Sequence, residues 1–323
     1  MVPEGKFVGT VGARPEFETI LALGSKCGLD DPEALLHLSN LCNRLGLDTN
    51  STGSVIAFAM DLYDRRIISD GDTGGLEVTW GNAEVMDTLI HQIAKREGFG
   101  LVLSMGVCRA AQIINRGSQQ FAYHVKGLEL SGSDPRGLMG TALGYALSTR
   151  GADFSNVYAL PETRWSAERC EGEFGIREIA DRFSGKGKAK MVRRCMIVCA
   201  VIDCLGICKV PALSIVGDFD LKGETELTQA LTDLPVDSKD LSEVGERVLN
   251  VERLFNLSQG ATSADDMIPD FFIDEAVAEG PGEGKKVENM DSMIKEFYDL
   301  MQWDQAGIPT KEKLGLLGLA EGF

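Results

Sequence analysis

Two short stretches carry residues of a type and spacing suited to holding a polar ligand. Asp203-Cys204-Leu205-Gly206-Ile207-Cys208 closes a strongly apolar run from Met196 to Ile202. Asn43-Arg44-Leu45-Gly46-Leu47-Asp48 closes an earlier helix-like run in the same way. Each reads polar residue, two spacers, glycine, aliphatic residue, then Asp or Cys. A polar side chain on the last helical turn, a glycine that accepts positive φ and free amides just beyond it form a pocket for a polar group. Two such pockets suggest one ligand held from two sides, whereas the bland alternative is a pair of ordinary helix C-caps. Glu16 and Glu18 flank Phe17 ahead of a break at Gly24-Ser25-Lys26-Cys27-Gly28. Carboxylates there serve as acid or base if burial raises a pKa, and otherwise are solvated surface groups.

The eight cysteines are unevenly spread: Cys195, Cys199, Cys204 and Cys208 crowd together, while Cys27, Cys42, Cys108 and Cys170 are scattered. The crowded four lack the tight Cys-x2-Cys spacing common among zinc and iron–sulfur ligands. Cys195, Cys199 and Cys204 read as core, since a buried free thiol packs like a small hydrophobe. Cys208 lies past Gly206, where a thiolate can leave the core. With three histidines (His37, His91, His124), a His-rich zinc site is not expected. His124, close to Lys126, is either a contact for an anionic ligand or a hydrogen-bonded structural histidine.

Helices must position these groups. Asp30-Asp31-Pro32-Glu33 has the cap, proline and acids of a helix start, and the apolar spacing carries that helix to Asn43. Asp48 to Gly53 reads as a polar, hydroxyl-rich stretch before a buried helix over 55–63. Asn82 caps a helix through Ile93, and another runs from Cys108 to Ile114. Gln120 to Leu130 alternates and reads as a strand or extended segment. Small residues mark a helix over 139–149, a short helix suits 172–184, and Lys186-Gly187-Lys188 reads as a loop. The cysteine helix covers 190–203, with further helices over 244–255 and 290–302 and a mobile loop at 281–286. β-branched alternating runs are few, so the class is mainly α. Ser131 to Gly137 is the best boundary by composition, giving two helical domains, 1–131 and 132–323.

The 323 residues suffice for two domains. The 49 acidic against 32 basic residues, net charge −17, argue against a nucleic-acid partner. No apolar run reaches a membrane span, and the N-terminus lacks a signal-peptide pattern, so a cytoplasmic protein with no membrane partner is expected.

Taken together, several stretches resemble the aldehyde ferredoxin oxidoreductase family of tungsten-pterin enzymes. They are Pro15 to Thr19, Leu41 to Gly53, His124 to Glu129, Asp134 to Gly137, Ser148 to Asp153, Asp203 to Cys208, Asp265 to Pro269 and Trp303 to Thr310. Their order and spacing hold from about residue 15 to the C-terminus. The resemblance implies the two-domain helical C-terminal half of such an enzyme, with a tungsten (or molybdenum) bis-pterin and a [4Fe–4S] cluster. Asn43 and Asp48 would serve one pterin, Asp203 and Ile207 the other, and Cys208 would be the last cluster ligand. Glu18, or Glu16, would transfer a proton near the metal. The implied reaction is oxidation of an aldehyde, a small-molecule substrate, with electrons passed to a ferredoxin-like acceptor.

Three departures qualify this expectation. The family's N-terminal half, with three clustered cysteines, is not in the chain, so a partner supplying it is expected and the chain alone is expected to be inactive. Asn43 stands where the family motif has Asp and brings no charge. Phe154 follows Gly151-Ala152-Asp153 where the resemblance leads one to expect a histidine. The alternatives are a non-catalytic helical interaction module and a tungsten subunit resembling class II benzoyl-CoA reductase.

Overall fold

In the computed structural model, the described residues are Val2 and residues 5–319. They are mainly helical; the named strands among them form one hairpin of two-residue strands. The chain separates into two compact units, Met1–Gly132 and Ser133–Phe323.

In the first unit a helical segment begins at Phe17–Thr19, loosens into a π-helical turn over Ile20–Gly24 and tightens over Ser25–Cys27. Helix α1 (Pro32–Leu45) starts as its sequence demands: Asp31 accepts the amides of Glu33 and Ala34, and Pro32 occupies the first turn. Helix α2 (Thr49–Asp64) differs from expectation, because the polar stretch after Asp48 forms its first turn rather than a connection. Asp48 is the cap, accepting the Ser51 amide at 2.6 Å. Capping overcomes the weak helix propensity of Thr, Asn and Ser there. Helix α3 (Ala83–Lys95), capped by Asn82, packs against α1. Leu38, Cys42, Ile56, Met60, Met86, Leu89 and Ile90 form the centre of this unit's core. Helices α4 (Gly98–Leu103) and α5 (Gly106–Ile114) come next. The stretch 120–130, expected as a strand or extended segment, holds a short hairpin of β1 (His124–Val125) and β2 (Leu128–Glu129), paired His124 to Glu129.

Gly53 explains how α2 meets the π-helical turn. A Cβ there would lie 2.5 Å from the carbonyl carbon and oxygen of Ala22, and backbone cannot swing aside as a side-chain tip can. Gly53→Ala is therefore expected to destabilise the unit by about 1–3 kcal/mol, the usual cost of overpacking. Urea denaturation would check this; an unchanged midpoint would mean the two segments separate freely.

The second unit is built around its long apolar helix, Lys188–Cys204. Before it come α6 (Met139–Leu147) and α7 (Ala167–Phe174). The short helix expected over 172–184 is displaced: α7 ends at Gly175, and only a 3-10 turn succeeds it over Arg177–Ala180. Helix α8 runs over Lys188–Cys204, and Met191, Val192 and the whole run 195–202 are buried. It packs against α6, α10 (Ser238–Ser258) and α11 (Met290–Met301), with α9 (Lys222–Thr232) laid on α10. A helix apolar on nearly every side belongs at the centre of a bundle.

Lys188, expected in a loop, instead opens α8 and is fully buried. Its ammonium sits 3.0 Å from Glu162, also fully buried, and donates to the Ile179 carbonyl at 2.8 Å. Glu162 in turn accepts the amides of Gly140 and Thr141 and the Thr141 hydroxyl, at 2.7–3.0 Å. One carboxylate thus caps α6 and neutralises a buried lysine on α8.

Candidate cofactor-binding site

The two sequence motifs adopt the same backbone geometry. In the first, the Leu47 amide donates to the Cys42 carbonyl at 2.9 Å and the Gly46 amide to Asn43 at 3.3 Å, with Gly46 at φ +71°. In the second, the Ile207 amide donates to Ile202 and the Gly206 amide to Asp203, each at 3.1 Å, with Gly206 at φ +68°. This double bond pattern is the Schellman termination, and it needs a left-handed residue at the glycine. It makes Asn43 equivalent to Asp203, Leu47 to Ile207 and Asp48 to Cys208. A Cβ on either glycine would meet nothing within 4 Å, so both turns present an open surface. Asn43, Asp48, Asp203 and Cys208 are all exposed, while Ile207 is half-buried.

Beyond the glycine the two turns diverge. Asp48 immediately caps α2. After Cys208 the chain passes Lys209, whose ammonium returns to the Asp203 carboxylate at 2.5 Å, and enters a π-helical stretch over Val210–Val216. Lys209 carries no sequence motif of its own, and only the reversal at Gly206 brings it back to Asp203.

Within the first unit three resembling stretches converge on the start of α2. Thr19 and Thr49 hydroxyls lie 2.7 Å apart, and Ser51 donates to Glu129 at 2.9 Å. Glu129 is buried and also accepts the Val107 amide at 2.8 Å. Glu18, half-buried, accepts the Gly132 amide at 2.6 Å, whereas Glu16 is exposed at the start of the helical segment. Lys26 lies among them, donating to Ser54 at 2.9 Å and to the Leu130 carbonyl at 2.6 Å. Burial lowers its pKa, opposed by the charges of Glu18, Cys27, Glu129 and Asp48. The Gly-Ser-Lys-Cys-Gly break was its only sequence signal. His124 accepts the Gly127 amide at 3.3 Å through Nδ1, and burial lowers its pKa against the pull of Glu129. That is the geometry of a structural histidine.

In the second unit Asp153 is buried, accepting the Ser155 amide at 2.8 Å and pairing with Arg150 at 2.9 Å. Phe154 is half-buried with its ring 5.2 Å from that of Tyr158, which holds the unusual φ of +43°. The late stretches serve the core. Asp266 is fully buried against the Arg253 guanidinium at 2.8 Å and accepts the Tyr298 hydroxyl. Arg253 also donates to the Gly307 carbonyl at 2.8 Å, and the Trp303 indole donates to Asn250 at 2.9 Å.

The thiols divide sharply. Cys195 and Cys199 are buried as expected, but Cys204 is exposed, because α8 ends at that residue and its last turn leaves the bundle. Burial pushes the Cys27, Cys42 and Cys199 thiols up to about 12 and Cys195 well above its ordinary value. In the isolated native chain, iodoacetamide at mildly alkaline pH is expected to label Cys204, Cys208 and the half-buried Cys108, leaving the buried five unmodified, since thiolate is the reactive form. Peptide mass mapping would check it; rapid labelling of Cys195 or Cys199 would contradict the buried α8. Among the described residues no three His, Cys, Asp or Glu side chains are grouped to hold a metal ion, and no helix is long and apolar enough to cross a membrane.

Two helical units, each ending a helix in the same open turn, define a mainly helical protein with a repeated helix termination. The chain belongs to the aldehyde ferredoxin oxidoreductase family, whose domains 2 and 3 match residues 1–319. It is 36% identical over 312 residues to the tungsten-containing aldehyde ferredoxin oxidoreductase of Pyrococcus furiosus, covering 96% of this chain and 49% of that protein. A WOR-like subunit of an aliphatic sulfonate oxidoreductase from the same organism is 27% identical over 332 residues, covering 98% of this chain and 47% of that one. Among solved structures the fold matches a chain of the active-site complex of benzoyl coenzyme A reductase with 1,5-dienoyl-CoA. There the TM-score is 0.75 at 20% identity, over 95% of this chain and 49% of that one. The chain thus spans about half the length of the curated relatives it matches.

Proposed function

We propose that this chain carries the helical face of the cofactor site of a tungsten (or molybdenum) pterin oxidoreductase. The observation that supports it most is the repeated termination: two caps with the same hydrogen bonds, each bearing exposed polar groups beside an open glycine. Asn43 and Asp48 would hold one pterin, Asp203 and Ile207 the other, through side-chain groups and the amides beyond each glycine. These turns fit a flat, polar, amide-bearing ligand. For a [4Fe–4S] cluster the described residues offer Cys208, with the remaining ligands to come from the family's other half. When bound, the metal centre supplies two-electron redox chemistry, and the cluster passes single electrons to a ferredoxin-like acceptor.

The chain's own residues orient and charge-balance that site. Glu18 is the proposed proton carrier: its Oε2 is held by the Gly132 amide, which fixes the carboxylate's direction, and Lys26 balances the negative charge of Glu18 and Glu129. Exposed Glu16 is the second candidate. Lys209 holds Asp203 at the edge of the second cap. Phe154, an apolar ring where histidine was expected, favours a substrate other than a simple aldehyde and keeps open the benzoyl-CoA-reductase-like reading.

The test is to purify the protein containing this chain from cells given tungstate, then measure tungsten, molybdenum, iron and the fluorescence of oxidised pterin. About one tungsten or molybdenum with pterin per chain is expected. A protein devoid of both metals and of pterin would leave the non-catalytic interaction module standing. Turnover with aldehydes against aromatic thioesters, using a viologen couple, then separates the substrate classes.

A further inference from the structure

The second unit holds a cavity of about 370 Å³ away from the cap at Gly206, between α7, α8, the Phe219–Leu221 segment and the start of α10. Its size lies in the range of small-molecule sites. The floor is apolar: Phe174, Ile197, Phe219 and Leu221 are all buried beneath it. The rim is cationic. Lys190, Arg193, Arg194 and Lys239 line it against two acids, Glu173 and Asp220, in a chain whose net charge is −17.

The pairing of these groups decides what the cavity can take. Both acids are already engaged, Glu173 with Arg194 at 3.0 Å and Asp220 with Lys222 at 2.8 Å. Arg194 is further fixed by the Phe219 carbonyl at 2.7 Å, and Arg193 is held by Glu246 at 2.5 Å. Among the described residues Lys190 donates to a neutral acceptor, the Phe174 carbonyl at 2.8 Å. The carboxylate beside Lys239, that of Asp237, accepts the backbone amides of Lys239 and Asp240 at 2.8 and 2.9 Å. Among the described residues neither ammonium forms an ion pair within 4 Å, although the Lys239 charge, after these amides, helps hold the neighbouring Asp237 carboxyl low, so two exposed ammonium groups flank the apolar floor.

We propose that this cavity is a binding site for a small amphiphilic anion, a phosphate monoester of an apolar alcohol, with its dianionic head between Lys190 and Lys239 and its body on the Phe174–Phe219 floor. Two ammonium groups match a doubly charged head, and charge-assisted hydrogen bonds give it preference over neutral compounds. The site is separate from the paired caps and stands whether or not the chain binds pterin.

Titration calorimetry on the full chain, in low-salt buffer free of phosphate, tests this with phenyl phosphate as probe. Saturable binding is expected, weakened about tenfold by Lys239→Met and again by Lys190→Met, and weakened by added salt. Inorganic phosphate and phenol should each bind at least about tenfold more weakly. Lys239 is exposed, so its variant is expected to fold, with circular dichroism as the check. Absence of saturable binding, affinity unchanged in the double variant, or inorganic phosphate matching phenyl phosphate would each overturn the proposal.

Discussion

Glu162→Ala is expected to lower the stability of the second unit by about 3–5 kcal/mol, the cost of stranding one member of a buried ion pair. Both partners are fully buried, so no solvent screens the Lys188 charge that remains. The same substitution removes the acceptor for the Gly140 and Thr141 amides at the start of α6. For a unit of this size the loss corresponds to a melting temperature lower by roughly 10–15 °C. Differential scanning calorimetry would measure it. Replacing both partners with apolar residues, Glu162→Leu with Lys188→Met, is expected to recover much of the loss on the lysine side, because a buried pair exchanged whole leaves no orphaned charge. The α6 amides would remain uncapped in that double variant, so recovery should be incomplete. Equal stability of the single variant and the unaltered chain would mean that water reaches Lys188.

On the proposed function, Cys208→Ala is expected to diminish strongly the visible absorbance and iron of the protein that contains this chain, while the chain keeps its helical content and its stability within about 0.5 kcal/mol. Losing one of four thiolates leaves an iron without its protein ligand and loosens the cluster, and an exposed side chain beyond a helix end contributes little to packing. Cys204→Ala provides the contrast. Its thiol is also exposed, four residues earlier, yet the resemblance assigns it no ligand role, so cluster iron should be retained. Loss of iron in Cys204→Ala with retention in Cys208→Ala would exchange the roles of the two thiols. Retention in both would remove the cluster from this chain.

Legibility in the sequence depended on the range of the interactions. The caps at Gly46 and Gly206 were legible because their hydrogen bonds close over five residues and require a glycine that the sequence displays. Asp31 and Asn82 announced helix starts for the same reason. The family was legible because many short stretches recur in order, and the comparison matched the same family. Asp48 was seen, but its capping role was not: as the cap of α2 it turns a polar stretch into a helical turn, and local propensity pointed the other way.

The sequence by itself determined the helical class, the two terminations and the thiol just beyond the second. Tertiary structure alone decided which polar groups work in pairs. Lys188 and Glu162 are 26 positions apart, and no spacing rule joins them; only the packing of α6 on α8 brings the charges within 3.0 Å. Cys199 and Cys204 carry the same side chain on one helix, but one lies in the bundle and the other where the bundle stops. Lys26 gathers Ser54 and the Leu130 carbonyl from segments distant in the chain. Burial and long-range pairing are properties of the assembled core, so the polar groups that work in pairs were visible only once the helices had met.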